Sequence, residues 1–264
     1  MEYFMFNINT GLLQYMVDSG VFTELWQPYF VQVCFVLVSI VCAYLLGSIN
    51  SAIFISKVIY RDDIRKHGSG NGGLTNMLRT FGKGAAGLTL LGDMLKTVLA
   101  IAIAGFLLGF NYWRGISYLN GWCYIAGLFA VLGHIFPIYY GFKGGKGVLV
   151  TATMALVLTP IPFAILLLVF ILIVAVTKYV SLGSVSGAIF YPVIVHGYIM
   201  VVFKDYGSPM PGLISLCTIL VAIIIVWCHI ENLKRIGNRT ERKLSFKKKD
   251  VEVKSKKDKE SGNE

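Results

Sequence analysis

Charge is scarce in this sequence: Asp, Glu, Lys and Arg make up 14% of its 264 residues, while hydrophobic residues make up 56%. A soluble domain usually carries about a quarter charged residues, so an ordinary soluble fold is excluded. Acidic residues are the scarcer kind, 14 against 24 basic, which leaves a net charge of +10. Cysteine is sparse as well. Cys34, Cys42, Cys123, Cys217 and Cys228 all lie in apolar runs, and no two form a Cys-x-x-Cys pair. That pattern suits helix packing and gives no metal site. The first 28 residues hold Glu2, Asp18 and Glu24 but no Lys or Arg. A cleaved signal peptide begins basic, so none is expected.

Long apolar runs are what the sequence has instead. A bilayer core ~30 Å thick needs ~20 mostly apolar residues per helix. Such runs fall at about 29–49, 85–109, 120–140, 148–160, 161–178, 185–203 and 212–230. The expected fold is all-α, a polytopic transmembrane helical bundle of about seven spans. The first run has room to continue as an amphipathic or buried segment towards Tyr60. Pro160-Ile161-Pro162 favours a break inside 148–178, because two prolines remove two backbone donors and restrict the residues before them.

Lys and Arg accumulate on the cytoplasmic side of membrane proteins. Segment 57–83 carries Lys57, Arg61, Arg65, Lys66, Arg79 and Lys83; segment 141–147 carries Lys143 and Lys146; Lys178 follows the fifth run. Twelve Lys and Arg against six acidic residues follow position 231, and the opposite loops hold only Arg114 and Lys204. Seven spans bring every basic segment to the cytoplasm, with the N-terminus outside and the C-terminus inside. Six would separate segment 57–83 from the tail. The chain then divides into an extracellular lead (1–28), a membrane-embedded domain (29–241) and a basic, disordered cytoplasmic tail (242–264).

Four motifs could carry chemistry, and all fall at helix ends on that one face. In the run from His67 to Arg79, four glycines alternate with Ser69, Asn71, Thr75 and Asn76, and Arg79 closes the segment. Glycines let a backbone turn its N–H groups into an anion nest, small polar side chains add donors, and Arg can grip a phosphate with two parallel hydrogen bonds. Gly68, Gly70 and Gly73 also fit Gly-x-Gly-x-x-Gly, but no strand–helix–strand unit surrounds them, so a dinucleotide fold is not supported. The second motif joins Gly133-His134-Ile135-Phe136-Pro137 to Phe142-Lys143-Gly144-Gly145-Lys146-Gly147. Tyr140 and Gly147 break the Walker pattern there, which removes a nucleotide hydrolase. The third is Tyr179-Val180-Ser181-Leu182-Gly183-Ser184 and the fourth His229-Ile230-Glu231-Asn232-Leu233-Lys234-Arg235, followed by Glu241. If the last helix continues there, His229 and Asn232 share one face. Asp93 and Lys96 interrupt the second run three residues apart, as a mutual pair or as support for the neighbouring loop.

Taken with Gly47-Ser48-Ile49 and Asp63-Ile64-Arg65, these motifs resemble, in the same order from about residue 44 to 241, the bacterial acyl-phosphate:glycerol-3-phosphate acyltransferases (the PlsY family). Asn50-Ser51 stands where that family usually has Pro-Phe, Leu149-Val150 where Ala-Thr is usual, and Thr97 and Arg239 where Gly is common. The resemblance implies transfer of an acyl chain from acyl phosphate to the 1-hydroxyl of glycerol 3-phosphate, giving lysophosphatidic acid and phosphate. It implies a bacterial cell membrane, membrane lipid around the helices and an active site facing the cytoplasm. A peripheral enzyme that makes acyl phosphate is a candidate partner. No cofactor, metal or nucleic acid is implied.

Peripheral acyltransferases use a His-x-x-x-x-Asp base, but the residues five positions after His67, His134, His196 and His229 are Gly72, Tyr139, Val201 and Lys234. On the family reading, Ser69, Asn71, Thr75 and Asn76 cradle the acyl phosphate, and Arg79, Lys143 and Lys146, with Gly144 and Gly145, hold phosphate charge. Ser181, Ser184, His229 and Asn232 orient glycerol 3-phosphate. Asp93, Lys96 and Glu241 support the site, Glu241 by a salt bridge that holds the tail loop. The proton goes to His229 or to the substrate's own phosphate. The competing reading is an organic-phosphate transporter; sites at helix ends rather than the midplane, and the lack of an inverted repeat, weigh against it.

Overall fold

The structure is a computed structural model, and it describes residues 11–109, 111–113, 116–118, 121–202 and 210–244. Helix α1 (Gly11–Asp18) lies against the far end of α5, where Gly11 comes so close to Gly109 that a side chain would not fit. Helix α2 (Gln27–Ser48) is followed by α3 (Ser51–Val58), capped by the Asn50 side chain. This is the continuation towards Tyr60 that the sequence leaves room for. A 3-10 turn (Ile64–Lys66) and α4 (Leu74–Thr80) then lead into α5 (Lys83–Leu108). Two three-residue strands, β1 (Asn111–Trp113) and β2 (Ile116–Tyr118), pair antiparallel before α6 (Gly121–Ile135). Helices α7 (Val148–Leu158), α8 (Pro160–Thr177), α9 (Val180–Val202), α10 (Pro211–Cys228) and α11 (Ile230–Gly237) complete the described chain.

Among the described residues, six helical segments are long and apolar enough to cross a membrane: 27–48, 83–108, 121–140, 160–177, 180–202 and 211–228. The seventh expected segment, α7, has 11 residues. It rises only about 16 Å, roughly half a hydrocarbon core. The expected break is present at Thr159, one residue before Pro160 opens α8. Expected boundaries hold to within a few residues except at α9. That helix starts at Val180 rather than 185, so Ser181 and Ser184 lie in its first turns. Arg114, Lys204, residues 1–10 and the tail from 245 lie outside the described residues.

Small residues set the helix packing. Gly47 meets the Ala130 backbone and Gly133 meets the Tyr44 carbonyl so closely that no Cβ would fit, which draws α2 onto α6. Ala43, Ala100, Ala104, Ala126 and Ala130 continue that fully buried seam. Between membrane helices, close backbone approach of this kind replaces the hydrophobic drive that water would supply. The outward residues of α8, among them Ile165, Leu168, Ile171, Leu172 and Val176, are exposed and apolar. That is the surface a helix presents to lipid. The segments 57–83, 141–147, 178 and 229–244 all gather at one end of the bundle, opposite α1.

Candidate active site

The first glycine-rich loop is built by side chains that hold its backbone. Asp63 caps the 3-10 turn by accepting from the Arg65 N–H at 3.0 Å. The Arg65 guanidinium returns two bonds to that carboxylate, 3.0 and 2.7 Å, and reaches the carbonyls of Tyr140 (2.8 Å) and Lys143 (3.1 Å) in the second loop. Bonding to Arg65 holds the Asp63 carboxyl down to about 2. Gly68 and Gly70 turn the chain through φ +60° and +71°. From inside α4, buried Asn76 shares its two amide N–H bonds among the carbonyls of Ile64, His67 and Asn71 and accepts from the Ser69 N–H. Asn76 is therefore spent on bracing the loop. Ser69, Asn71, Thr75 and Arg79 face a common cavity with their side-chain polar atoms uncommitted among the described residues.

The second loop is used differently. The Gly144 and Gly145 N–H groups donate to the carbonyls of Ile135 and His134, both at 3.1 Å, and a Cβ on either would run into His134. Gly144 also accepts from the Gly72 N–H at 3.3 Å, tying the two loops together. These glycines permit close packing and lie outside the cavity. Lys143 is exposed, outside the cavity as well, and contributes only its carbonyl to Arg65. Lys146 enters the cavity and bonds the Asn232 side-chain oxygen. Burial and the neighbouring Arg235 both lower the Lys146 pKa.

Glu241 joins the third and fourth motifs. One of its oxygens accepts from Ser181 (2.6 Å) and from the Asn232 amide (2.7 Å); the other accepts from Arg235 (2.7 Å). Burial works against the Glu241 carboxylate, but those donors outweigh it and leave its pKa below the ordinary value. Asn232 also donates to the Ser181 hydroxyl at 2.9 Å. Ser184 donates to the Val180 carbonyl at 3.0 Å. The last helix does not run on unbroken through His229, as shared-face spacing assumes: α10 ends at Cys228 and α11 starts at Ile230, with His229 at the junction. His229 Nδ1 lies 2.8 Å from the Ile225 carbonyl. A carbonyl can only accept, so Nδ1 carries the proton and Nε2 is left as an acceptor. Burial, reinforced by the Lys146 charge, pushes His229 down to about 4, so the ring is neutral at pH 7.

Asp93 and Lys96 form the expected pair at 2.8 Å, within a larger cluster. The Lys96 ammonium also donates to the Ile49 carbonyl (2.9 Å) and to His134 Nδ1 (3.0 Å), which uses its three N–H bonds. Asp93 and His134 reach the cavity wall; Lys96 stands behind them. Sequence reasoning missed His134 in this role. It missed Asn50, fully buried, which accepts from Ile53 N–H and donates to the Gly72 carbonyl at 3.1 Å. It also missed Arg242, which lines the cavity mouth near Gly68 and Arg79. The strap carrying Arg242 is tied down by Glu241 and by a 2.7 Å bond from Leu244 N–H to the Lys178 carbonyl.

The cavity measures about 760 Å³. Its mouth holds Arg79, Lys146, Arg235 and Arg242 against Glu241. Below them it becomes an apolar groove lined by Leu149, Ala152, Leu156, Phe163, Leu166 and Phe170. One end is cationic and the other apolar.

The family described as glycerol-3-phosphate acyltransferase matches residues 37–239. A Clostridioides difficile protein named glycerol-3-phosphate acyltransferase is 41% identical over 81% of this chain and 97% of its own. A Streptococcus thermophilus protein of the same name is 37% identical over 80% and 94%. Two crystal structures of PlsY, an integral membrane glycerol 3-phosphate acyltransferase, match at 31% and 30% identity with TM-scores of 0.65 and 0.63. Each covers 80% of this chain, and they account for 96% and 95% of the matched chains. The first is the glycerol 3-phosphate form and the second the lysophosphatidic acid form.

Proposed function

This chain belongs to the glycerol-3-phosphate acyltransferase family, and from that premise we propose that its cavity joins acyl phosphate to glycerol 3-phosphate. It is an integral membrane acyltransferase of phospholipid synthesis. The observation that carries the donor assignment is the continuity of one cavity from a cationic mouth to an apolar groove. Acyl phosphate has that polarity: a phosphate directly beside its reactive carbonyl, then a hydrocarbon chain.

In the proposed step, the 1-hydroxyl oxygen of glycerol 3-phosphate bonds to the carbonyl carbon, and the bond from that carbon to the phosphate oxygen breaks. Ser69, Asn71, Thr75 and Arg79 hold the leaving phosphate, joined by Arg242. Lys146, Ser181, Ser184 and Asn232 hold glycerol 3-phosphate, with Glu241 and Arg235 fixing Asn232 and Ser181. Gripping both phosphates converts the reaction to one between positioned groups, and the cations stabilise charge as it moves onto the leaving oxygen. Lys143, Gly144, Gly145 and Asn76 support this arrangement from outside.

The proton has two candidate acceptors. His229 sits at about 4, whereas a phosphate monoester has a second pKa of about 6, so the phosphate is the stronger base. On this reading His229 Nε2 orients the hydroxyl and the proton ends on substrate phosphate. The acid limb of kcat/KM then falls near pH 6; a limb near pH 4 would reassign the base to His229.

The mouth lies on the basic end of the bundle, which under the positive-inside rule faces the cytoplasm. The N-terminus is then outside, and a peripheral enzyme making acyl phosphate could deliver it directly. The deciding experiment gives purified protein glycerol 3-phosphate with acyl phosphate, acyl-CoA or acyl carrier protein, each alone, and measures lysophosphatidic acid. Only acyl phosphate is expected to react, with orthophosphate inhibiting. Comparable turnover from acyl-CoA would overturn the donor assignment.

A further inference from the structure

The apolar groove has a floor. Helix α9 presents Val180, Ser184, Gly187 and Tyr191 to it at helical spacing. The space beside Gly187 is open, with no atom within 4 Å of where a Cβ would stand. One turn deeper the small residues give way to a phenol ring. Tyr191 lies ten residues past Ser181, a rise of about 15 Å. On α8 the deepest lining residue is Phe163, one turn from the Pro160 end, and on α7 it is Leu156, two residues before that helix stops. Three helices thus end the groove at one level.

The floor is closely packed, where a site that accepts hydrocarbon of any length would stay open. Tyr191 is 1% exposed and packs in the main core with Tyr124, whose hydroxyl is 3.3 Å from Thr159 at the α7–α8 break. The Tyr191 hydroxyl is buried beside the Tyr124 hydroxyl, without good hydrogen-bond geometry to it. The methyl end of an acyl chain cannot supply a better partner.

We infer that Tyr191 closes the acyl groove and sets the longest acyl chain the enzyme uses efficiently. This rests on the acyl-transfer reading above. Each methylene that enters the groove strengthens binding by about fourfold. A methylene that reaches the Tyr191 ring gains nothing and must displace a buried aromatic. Activity against chain length therefore climbs and then breaks, and the break belongs to the ring of Tyr191 rather than to its hydroxyl.

The test compares saturated acyl phosphates differing by two carbons, reading lysophosphatidic acid formed by purified full-length protein. The readout is the ratio of kcat/KM for the first rejected donor to that for the longest accepted one. Taken within one preparation, this ratio is independent of the fraction folded. Tyr191→Ala should raise it about fifteenfold, the worth of roughly two methylenes, and move the break to a longer donor. Tyr191→Phe should leave the break where it is, and Gly187→Leu, which fills the open space nearer the mouth, should move it to a shorter one. Normal turnover with an unchanged break in Tyr191→Ala, or a wild-type profile with no break, would overturn the floor alone. No turnover of any acyl phosphate by the wild-type protein would overturn the donor reading and the floor with it.

Discussion

Two loops at the mouth, 68–79 and 143–147, share a signature of glycines beside cations, yet they use their glycines for opposite ends. Gly70 is needed for conformation alone, since its φ is positive and a Cβ there would stand an unremarkable 3.5 Å from the Arg65 carbonyl; Gly68 has positive φ too, and a Cβ on it would also run into the Asn76 side-chain oxygen. Gly144 and Gly145 are needed for space, because His134 occupies the volume a Cβ would take. The first loop therefore offers uncommitted donors to the cavity, while the second is a buttress that delivers one side chain, Lys146. Glycine-rich and cationic is a description of composition; whether it marks a phosphate nest depends on what fills the space around each Cα.

The largest effect should come from the buttress. An alanine methyl at position 145 would press on the His134 ring and stand 2.8 Å from the Gly72 carbonyl. His134 in turn holds Lys96 at 3.0 Å. Overpacking of this kind costs ~1–3 kcal/mol, and here it also disturbs a buried ion pair. Gly145→Ala should lose about a hundredfold in activity together with a lower melting temperature. Gly70→Ala, strained by its backbone alone at about 1–2 kcal/mol, should keep more of both. Thermal melts and kinetics on the two variants check this; equal losses would erase the distinction between the loops.

The next contrast separates two lysines three residues apart. Lys146→Ala removes a buried charged contact worth ~1.5–3 kcal/mol, so kcat/KM should fall about tenfold to a hundredfold with little change in melting temperature. Lys143→Ala, at an exposed side chain, should stay within about twofold. Steady-state kinetics with glycerol 3-phosphate as the varied substrate decides it. A comparable loss at Lys143 would mean that the second loop is also a nest.

These contrasts mark where the sequence was readable. Helices 27–48, 83–108 and 211–228 were legible because hydropathy is local to each run, and the break at Thr159 because proline acts on its immediate neighbours. The grouping of Ser181, Asn232 and Glu241 was legible only through family resemblance, since the residues are 51 and 9 positions apart. Lys143 and Lys146 could not be told apart, because the turn between Phe142 at φ +58° and Gly147 at φ +78° sends one outward and the other inward. Asn50 was set aside as a departure from the family's Pro-Phe, yet its amide both caps α3 and holds Gly72. Arg242 was hidden among nine basic residues of the tail; only the strap through Glu241 and Leu244 brings it to the mouth.

That strap extends the first loop's nest from the opposite side. Arg242 lies beyond the family match, which ends at residue 239. Arg242→Gln should raise KM for a phosphate substrate by about fivefold, as expected for a partly exposed charge contact, and leave kcat alone. An unchanged KM would return Arg242 to the solvated tail and leave Arg79 as the nest's guanidinium.

The smallest expected effect tests conformation without space, at a position where this chain does not use glycine. Arg239 has φ +58° just past the end of α11, where the N–H groups of Thr240 and Glu241 turn back to the Arg235 carbonyl at 2.8 and 3.1 Å. This is the left-handed turn at a helix C-terminus that glycine ordinarily fills. A non-glycine residue there costs roughly 1–2 kcal/mol. Introducing glycine also loosens the unfolded chain, which returns about 0.5–1 kcal/mol of that gain. Arg239→Gly should therefore stabilise the protein by only about 0.5–1 kcal/mol. It should leave kcat/KM unchanged, because the turn keeps its course and Glu241 still reaches Ser181 and Asn232. A small upward shift in melting temperature with unaltered kinetics is the expected result. A loss of activity would show that the Arg239 side chain, and not only its backbone angle, helps to position the strap over the cavity.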